Sequence, residues 1–171
     1  ELGVESITLE LLSDDTENAK RSSEFLQSQL QTNLPGLTVT LRNVPFKVRL
    51  EADTSGEYDI ELAGWGDDYA DAINFLELFQ TENGNNKSGY SNAEYDALIN
   101  EARTNVTDLD ARWASLLAAE KILMEDAGIA PLYQRSYAVL QTPYVTDLGE
   151  HLVGADYSYK WASNSGTQNV D

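Results

Sequence analysis

The 171-residue chain has 11 Lys and Arg residues against 29 Asp and Glu residues, which gives a formal net charge of -18 at pH 7. This charge repels phosphate backbones and anionic membrane surfaces, so we expect no nucleic-acid partner. Hydrophobic residues make up 42% of the chain, enough for a core, and the absence of cysteine excludes disulfides and thiolate metal sites.

The first third of the chain alternates strand and helix patterns. Apolar and polar residues alternate over residues 7–11 and again over residues 38–43, as in half-buried strands. Between them, Asp14 and Glu17 resemble a capping box that opens a helix. A strand, a helix and a strand in this order predict a βαβ unit with a parallel sheet.

A short helix over residues 45–54 and a third strand over residues 58–63 are predicted next. The third strand leads into Gly64-Trp65-Gly66, which two acidic residues follow at once. The two glycines permit unusual backbone angles and close approach of another group. Because ligands of open α/β sheets bind beyond the carboxyl ends of strands, this segment is the candidate binding site.

Helical patterns dominate the second half. A short helix is predicted over residues 72–79, a loop over 81–90, and a capping box of Ser91 and Glu94 opens the next helix. A further helix begins near Thr107 or Asp108 and ends at Gly128. Its predicted apolar face comprises Trp113, Leu116, Leu117, Glu120, Met124 and Ala127. Two short strands, over residues 129–133 and 137–140, should follow.

Two features near the third strand each have an alternative interpretation. Asp67, Asp68 and Asp71 could serve acid/base chemistry, bind calcium or an ammonium group, or cap the next helix, and the absence of an EF-hand pattern disfavours calcium. Trp65 could be a core residue or a platform on which a ligand stacks. Motifs of serine hydrolases, zinc proteases and nucleotide enzymes do not occur, so we predict no catalytic residues, no metal and no cofactor.

The segment from Tyr58-Asp59 through Gly64-Trp65 to Asp68-Tyr69 resembles the YD-(x)4-GW-(x)2-DY signature of the peptide and nickel class of extracellular solute-binding proteins. Further matches to this family follow in order and extend over nearly the whole chain, at residues 72–76, 85–86, 89–92, 94–99, 118–123 and 130–133. The resemblance implies an α/β fold with a mixed sheet flanked by helices, one lobe of a type II, cluster C periplasmic-binding-protein fold. Residues 1–150 would form the C-terminal ligand-binding lobe of a longer protein, and residues 151–171 a tail that returns toward the other lobe.

The resemblance also implies a function, namely the substrate-binding component of an ABC importer that captures oligopeptides. The main chain of the peptide would pair with the strand and turn at Ala63 to Asp68, Asp68 would hold its α-ammonium group, and Trp65 would line a side-chain pocket. The implied peptide-binding residues are Ala63, Gly64, Trp65, Gly66 and Asp68. The implied protein is a monomer outside the cytoplasmic membrane, either periplasmic or held by a lipid anchor, with permease subunits as partners.

Other functions remain open at this point. Some members of the family have an Arg two residues before the Gly-Trp pair, whereas this chain has Leu62, which favours longer or variable peptides. Relatives within the family bind dipeptides, nickel complexes, haem or sugars. A more distant alternative is a hydrolase that uses Asp67 or Asp68 together with Glu77.

Overall fold

A computed structural model of the chain describes residues 6–136, 138–151 and 153–166. The chain divides into two compact units, Glu1–Trp65 and Gly66–Asp171. Parallel strand pairs occur in the first unit and antiparallel pairs in the second, and helices accompany both. The expected α/β class is therefore confirmed.

The first unit is built on a parallel sheet. Its elements are, in chain order, β1 (Ile7–Asp14), α1 (Glu17–Asn33), β2 (Leu37–Val44), α2 (Phe46–Ser55) and β3 (Ile60–Glu61). The strand order is β2-β1-β3, and β1 runs parallel to both neighbours. This arrangement confirms the predicted βαβ unit. The predicted third strand is also present, but it comprises two residues rather than residues 58–63.

The centre of the first unit is β1, where consecutive Leu11 and Leu12 are both buried. Because successive side chains of a strand point to opposite faces, both faces of β1 are covered. Val39 on β2 and Ala52 on α2 are also buried in this unit. The unit thus forms a small core around the central strand.

The start of α1 differs from the prediction. Thr16 is the N-cap, and its hydroxyl oxygen accepts a 3.3 Å hydrogen bond from the backbone N–H of Ala19. The predicted box of Asp14 and Glu17 is wrong, because Asp14 is the last residue of β1 and its carboxylate binds Arg49. The strand therefore extends three residues further than the alternation of apolar residues indicated.

The second unit is mainly helical, with α3 (Ile73–Leu76), a 3-10 turn (Glu77–Phe79), α4 (Ala93–Thr104) and α5 (Leu109–Glu125). Asn92 caps α4, since its side-chain oxygen accepts hydrogen bonds from the backbone N–H groups of Glu94 and Tyr95. The predicted capping box therefore lay one residue too early. Asp108 caps α5, which agrees with the predicted start of this helix near Thr107 or Asp108.

Helices α4 and α5 pack against each other around the main hydrophobic core. Its buried members are Ile73, Tyr95, Ile99, Ala102, Leu116, Ala119 and Leu123. The predicted apolar face of α5 is wrong in all but Leu116, because Trp113 and Leu117 are about half exposed. Small residues, Ser115 and Ala119, lie on the buried face instead, and short side chains of this kind permit close helix approach.

The two strands predicted after α5 are not formed. Residues 129–133 and 138–140 adopt no regular structure, and residue 137 lies outside the described part of the chain. Apolar alternation alone does not make a strand, because a strand also needs a hydrogen-bonded neighbour. Short antiparallel pairs follow instead: β4 (Val145–Thr146) with β7 (Ser163–Asn164), and β5 (Gly149–Glu150) with β6 (Tyr157–Ser158).

Helices α1 and α5 contain 17 residues each. A helix that crosses a bilayer needs about 20 predominantly apolar residues. Across residues 6–136, 138–151 and 153–166, no helix meets the requirement of length and apolar character for spanning a membrane.

Candidate functional site

The segment that carries the Gly-Trp pair leaves the sheet at an edge. β3 pairs with β1 through Ile60 and Glu61, and the N–H of Leu62 donates a 2.9 Å hydrogen bond to the carbonyl oxygen of Leu12. Residues 63–66 follow, and all four are exposed. The predicted binding segment therefore begins at the carboxyl end of an edge strand of a parallel sheet.

Trp65 is 42% exposed, so it is not a core residue of the described chain. Its flanking glycines permit unusual backbone angles but do not use the left-handed region, since neither Gly64 nor Gly66 has a positive φ. A Cβ built on Gly66 would have no heavy atom within 4 Å. The absence of a side chain at Gly66 therefore leaves open space beside the backbone.

A buried arginine holds the end of β3 in the first unit. Arg49 is 7% exposed, and its Nε donates a 2.8 Å hydrogen bond to Oδ1 of Asp14. Its Nη1 donates to the carboxylate of Glu61. Because Asp14 ends β1 and Glu61 ends β3, one side chain on α2 connects the carboxyl ends of both strands.

The Glu61 carboxyl group has competing neighbours. Burial raises its pKa, the hydrogen bond from Arg49 lowers it, and the nearby Asp53 raises it again, so that the pKa lies above its usual value. Burial disfavours the charged form of a carboxyl group, which Arg49 only partly offsets. The last residue of β3 is thus held by an ion pair whose negative partner is partly disfavoured by burial.

The predicted acidic cluster is divided in the second unit. Asp68 is exposed, and its backbone N–H donates a 3.0 Å hydrogen bond to Oδ1 of the buried Asn74. Asp71 instead binds Arg112, whose Nη2 lies 2.9 Å and 2.8 Å from its two carboxylate oxygens. Of these two acids, only Asp68 presents an exposed side chain from an anchored backbone.

The charge of Asp71 is stabilised. Burial by itself would raise the pKa of this carboxyl group. The hydrogen bonds from Arg112 and from the backbone N–H of Ile73, together with the positive charge of Arg112, outweigh burial and hold the pKa below its usual value of 3.8. The Asp71 side chain also accepts a 3.0 Å hydrogen bond from the Ile73 N–H, at the first residue of α3. Asp71 therefore satisfies one backbone N–H at the start of α3, although the N-cap residue itself is Ala72, which makes no side-chain cap hydrogen bond.

Glu77 does not fit the hydrolase alternative well. Its carboxylate accepts a 3.0 Å hydrogen bond from the hydroxyl group of Tyr69 and forms a 3.0 Å ion pair with Arg103. A general base needs a lone pair directed at substrate, whereas this carboxylate is already bound on both oxygens. Within the described ranges, no group of three or more His, Cys, Asp or Glu side chains could hold a metal ion.

Comparison with known proteins gives the family. Residues 2–87, half of the chain, match the model for "Bacterial extracellular solute-binding proteins, family 5 Middle". The chain belongs to this family of solute-binding proteins. The matched part contains residues 2–65 of the first unit, and it also includes Gly66, Asp68 and Asn74 of the second unit.

Several family 5 proteins are similar over most of this chain. The dipeptide-binding protein of Lactococcus lactis subsp. cremoris is 37% identical over 95% of the chain. The structure of Listeria monocytogenes OppA bound to peptide is 49% identical over 97% of the chain, with a TM-score of 0.83. The substrate-binding domain of an oligopeptide ABC transporter from Bacillus anthracis is 36% identical over 96% of the chain, with a TM-score of 0.86.

This chain covers only part of each of these family 5 proteins. It spans 30% of the Lactococcus protein, 31% of the Listeria chain and 32% of the Bacillus anthracis chain. The match to solved family 5 structures over nearly all of this chain confirms the expected fold.

Sequence reasoning missed three residues that hold the segment around this family's signature, namely Arg49, Asn74 and Arg112. The chain has 29 Asp and Glu residues but only 11 Lys and Arg residues. The acidic partner of a given arginine therefore cannot be identified from the sequence. Asn74 offered a usable signal, because asparagine is a poor helix former and yet occupies a four-residue helix. Such a residue is typically kept for its side-chain hydrogen bonds.

Proposed function

We propose that the chain is part of the substrate-binding component of an ABC importer that captures oligopeptides outside the cytoplasmic membrane. The observation that carries this proposal is the position of residues 63–66, which are exposed and directly follow an edge strand. Family membership and the peptide-binding relatives from Listeria and Lactococcus support it.

The peptide main chain pairs with residues 63–66. An extended peptide can add to an exposed strand edge through backbone hydrogen bonds, which are the same for every peptide sequence. Ala63, Gly64 and Gly66 have little or no side chain to obstruct this approach, and the open space at Gly66 agrees with it. Main-chain pairing of this kind gives affinity with broad tolerance for the peptide's side chains.

Asp68 and Trp65 recognise the N-terminus of the peptide and one of its side chains, respectively. The exposed carboxylate of Asp68 accepts hydrogen bonds from the α-ammonium group of the peptide, and bonds between charged groups are stronger than neutral ones. Trp65 contributes an exposed indole that lines a pocket for a peptide side chain. Leu62 offers no charge for the peptide carboxylate, so the ligand's C-terminus is not fixed there and its length can vary.

The proposal extends to the domain organisation, oligomeric state and location of the protein. Residues 1–150 form the C-terminal ligand-binding lobe, and residues 151–171 return toward a second lobe. The protein is a monomeric receptor without enzymatic activity, located in the periplasm or lipid-anchored at the outer face of the membrane. It delivers peptide to the permease subunits of its transporter.

The test is calorimetric titration of the full-length protein with one peptide in free and N-acetylated forms. The free peptide should bind more tightly, by roughly 10- to 100-fold, because a hydrogen bond to a charged group contributes about 1.5–3 kcal/mol. Asp68→Asn should abolish most of this difference, whereas Asp67→Asn, a matched change of the neighbouring acid, should preserve it. No binding of peptides of several lengths by the unsubstituted protein would refute the proposal.

A further inference from the structure

Asn74 is an amide side chain buried in the second unit, with only 3% of its surface exposed. Burial of an amide is unfavourable unless its polar atoms are hydrogen-bonded. Its Oδ1 accepts a 3.0 Å hydrogen bond from the backbone N–H of Asp68. In the described part of the chain, no buried side-chain nitrogen or oxygen lacks a hydrogen-bond partner, so the burial of this amide is compensated.

The same amide also contacts the residue after Asp68. A hydrogen bond between the side chains of Asn74 and Tyr69 opposes the effects of burial and of Glu77, which together raise the pKa of the Tyr69 hydroxyl group. That hydroxyl donates a 3.0 Å hydrogen bond to Glu77. Asn74 therefore binds both residues of the Asp-Tyr pair that ends the family signature.

The position of Asn74 is itself fixed by the core. It lies on α3 next to Ile73, which is 5% exposed and belongs to the main hydrophobic core. The N–H of Ile73 is bound by Asp71, and Asp71 is bound by Arg112 on α5. The Asp68 backbone is thus connected to the packed helices through Asn74, while its side chain remains exposed.

We propose that Asn74 is a positioning residue that sets the discrimination between free and blocked peptide N-termini. This inference rests on the proposed function of Asp68. A carboxylate on an anchored backbone can bind the ammonium group with little loss of conformational entropy. A carboxylate on a mobile loop must be ordered on binding, and this entropic cost weakens the affinity. Asn74 does not touch the ligand and acts through the main chain of Asp68.

The experiment compares the ratio of dissociation constants for N-acetylated and free peptide in variants of the full-length protein. Asn74→Ala removes the acceptor, and Asn74→Leu removes it while filling the buried volume with an apolar side chain. Asn74→Asp retains an oxygen at the same position. Asn86→Ala is the matched control, because Asn86 is also a partly buried amide of this unit and binds the carbonyl oxygens of Gln80 and Tyr90.

A positioning role predicts that Asn74→Ala and Asn74→Leu reduce the ratio about tenfold or more, through weaker binding of the free peptide alone. Asn74→Asp should recover most of the ratio, and Asn86→Ala should leave it unchanged even where thermal stability falls. A purely structural role would weaken both peptides equally, and an unchanged ratio in a folded Asn74→Leu variant would overturn the inference while leaving Asp68 as the ammonium site. If the unsubstituted protein binds both peptides equally, Asp68 is not the ammonium site. That result would refute this part of the proposed function and, with it, the inference about Asn74.

Discussion

Nη2 of Arg112 on α5 lies 2.9 Å and 2.8 Å from the two carboxylate oxygens of Asp71, which is 41 residues earlier in the chain. Nε of the same arginine donates a 2.9 Å hydrogen bond to the carbonyl oxygen of Ala102 on α4. One side chain therefore joins the start of α3 to both long helices of the second unit.

Asp71→Asn should lower the free energy of unfolding at neutral pH by about 1.5–3 kcal/mol, the usual contribution of hydrogen bonds to charged groups. The folded-state pKa of Asp71 is lowered, so its contribution is present above the unfolded-state pKa and disappears as pH falls through the folded-state pKa. Urea unfolding between neutral pH and pH 2 should therefore show the wild type and the variant converging in acid. A difference that is independent of pH would contradict this.

Arg49→Met should destabilise the first unit more strongly, by about 3–5 kcal/mol, because it leaves the carboxylates of Asp14 and Glu61 without their buried partner. Urea unfolding monitored by circular dichroism measures this loss. Arg42→Met is the matched control, since the Arg42–Glu10 pair is about one-third exposed and such pairs contribute about 1 kcal/mol or less. Equal losses in both variants would show that burial does not decide the effect.

Gly66→Ala should leave stability nearly unchanged and weaken peptide binding. The added methyl group meets no atom of the chain within 4 Å, and the backbone is not in the left-handed region, so the fold tolerates it. A peptide main chain that pairs with this segment would collide with the methyl group. Thermal unfolding and peptide titration separate the two effects, and Gly84→Ala, a change in equally open surroundings, should alter neither.

Trp65 should report binding through its fluorescence. It is 42% exposed, and contact with a peptide side chain would transfer the indole to a less polar environment and shift its emission to shorter wavelength. Trp113 and Trp161 are more exposed and should be replaced by Phe to isolate the signal. A saturable shift with free peptide in the Trp113→Phe, Trp161→Phe protein is the expected outcome. An unchanged emission spectrum at saturating peptide would exclude Trp65 from the pocket.

Local patterns predicted the elements whose signals are contained in neighbouring residues. The alternation in β1 and β2 and the start of α5 near Asp108 could be predicted because each depends on a few adjacent positions. The end of α2 at Gly56 is equally local. Gly56 has a φ of 71°, a conformation that glycine adopts without strain. The order of these elements was sufficient for the fold class.

Contacts between distant residues could not be predicted in this way. The face of α5 was placed incorrectly because Trp113 and Leu117 are apolar but exposed, whereas the small residue Ala119 faces α4. The predicted strand over residues 129–133 failed because strand formation depends on a neighbour that no local pattern reveals. At the candidate site, the Gly-Trp segment was found from its motif, but its support by Arg49 was not.

The central place of β1 has a consequence for the order of folding. β1 precedes both of its partners in the chain: Ile7 pairs with Leu37, and Leu11 pairs with Ile60. We expect these pairs of distant segments to form more slowly than the contacts between α4 and α5, which a short connection joins. The strand that leads to the proposed peptide site therefore joins the sheet through pairs of residues about 49 positions apart, such as Leu11 and Ile60, rather than through local contacts.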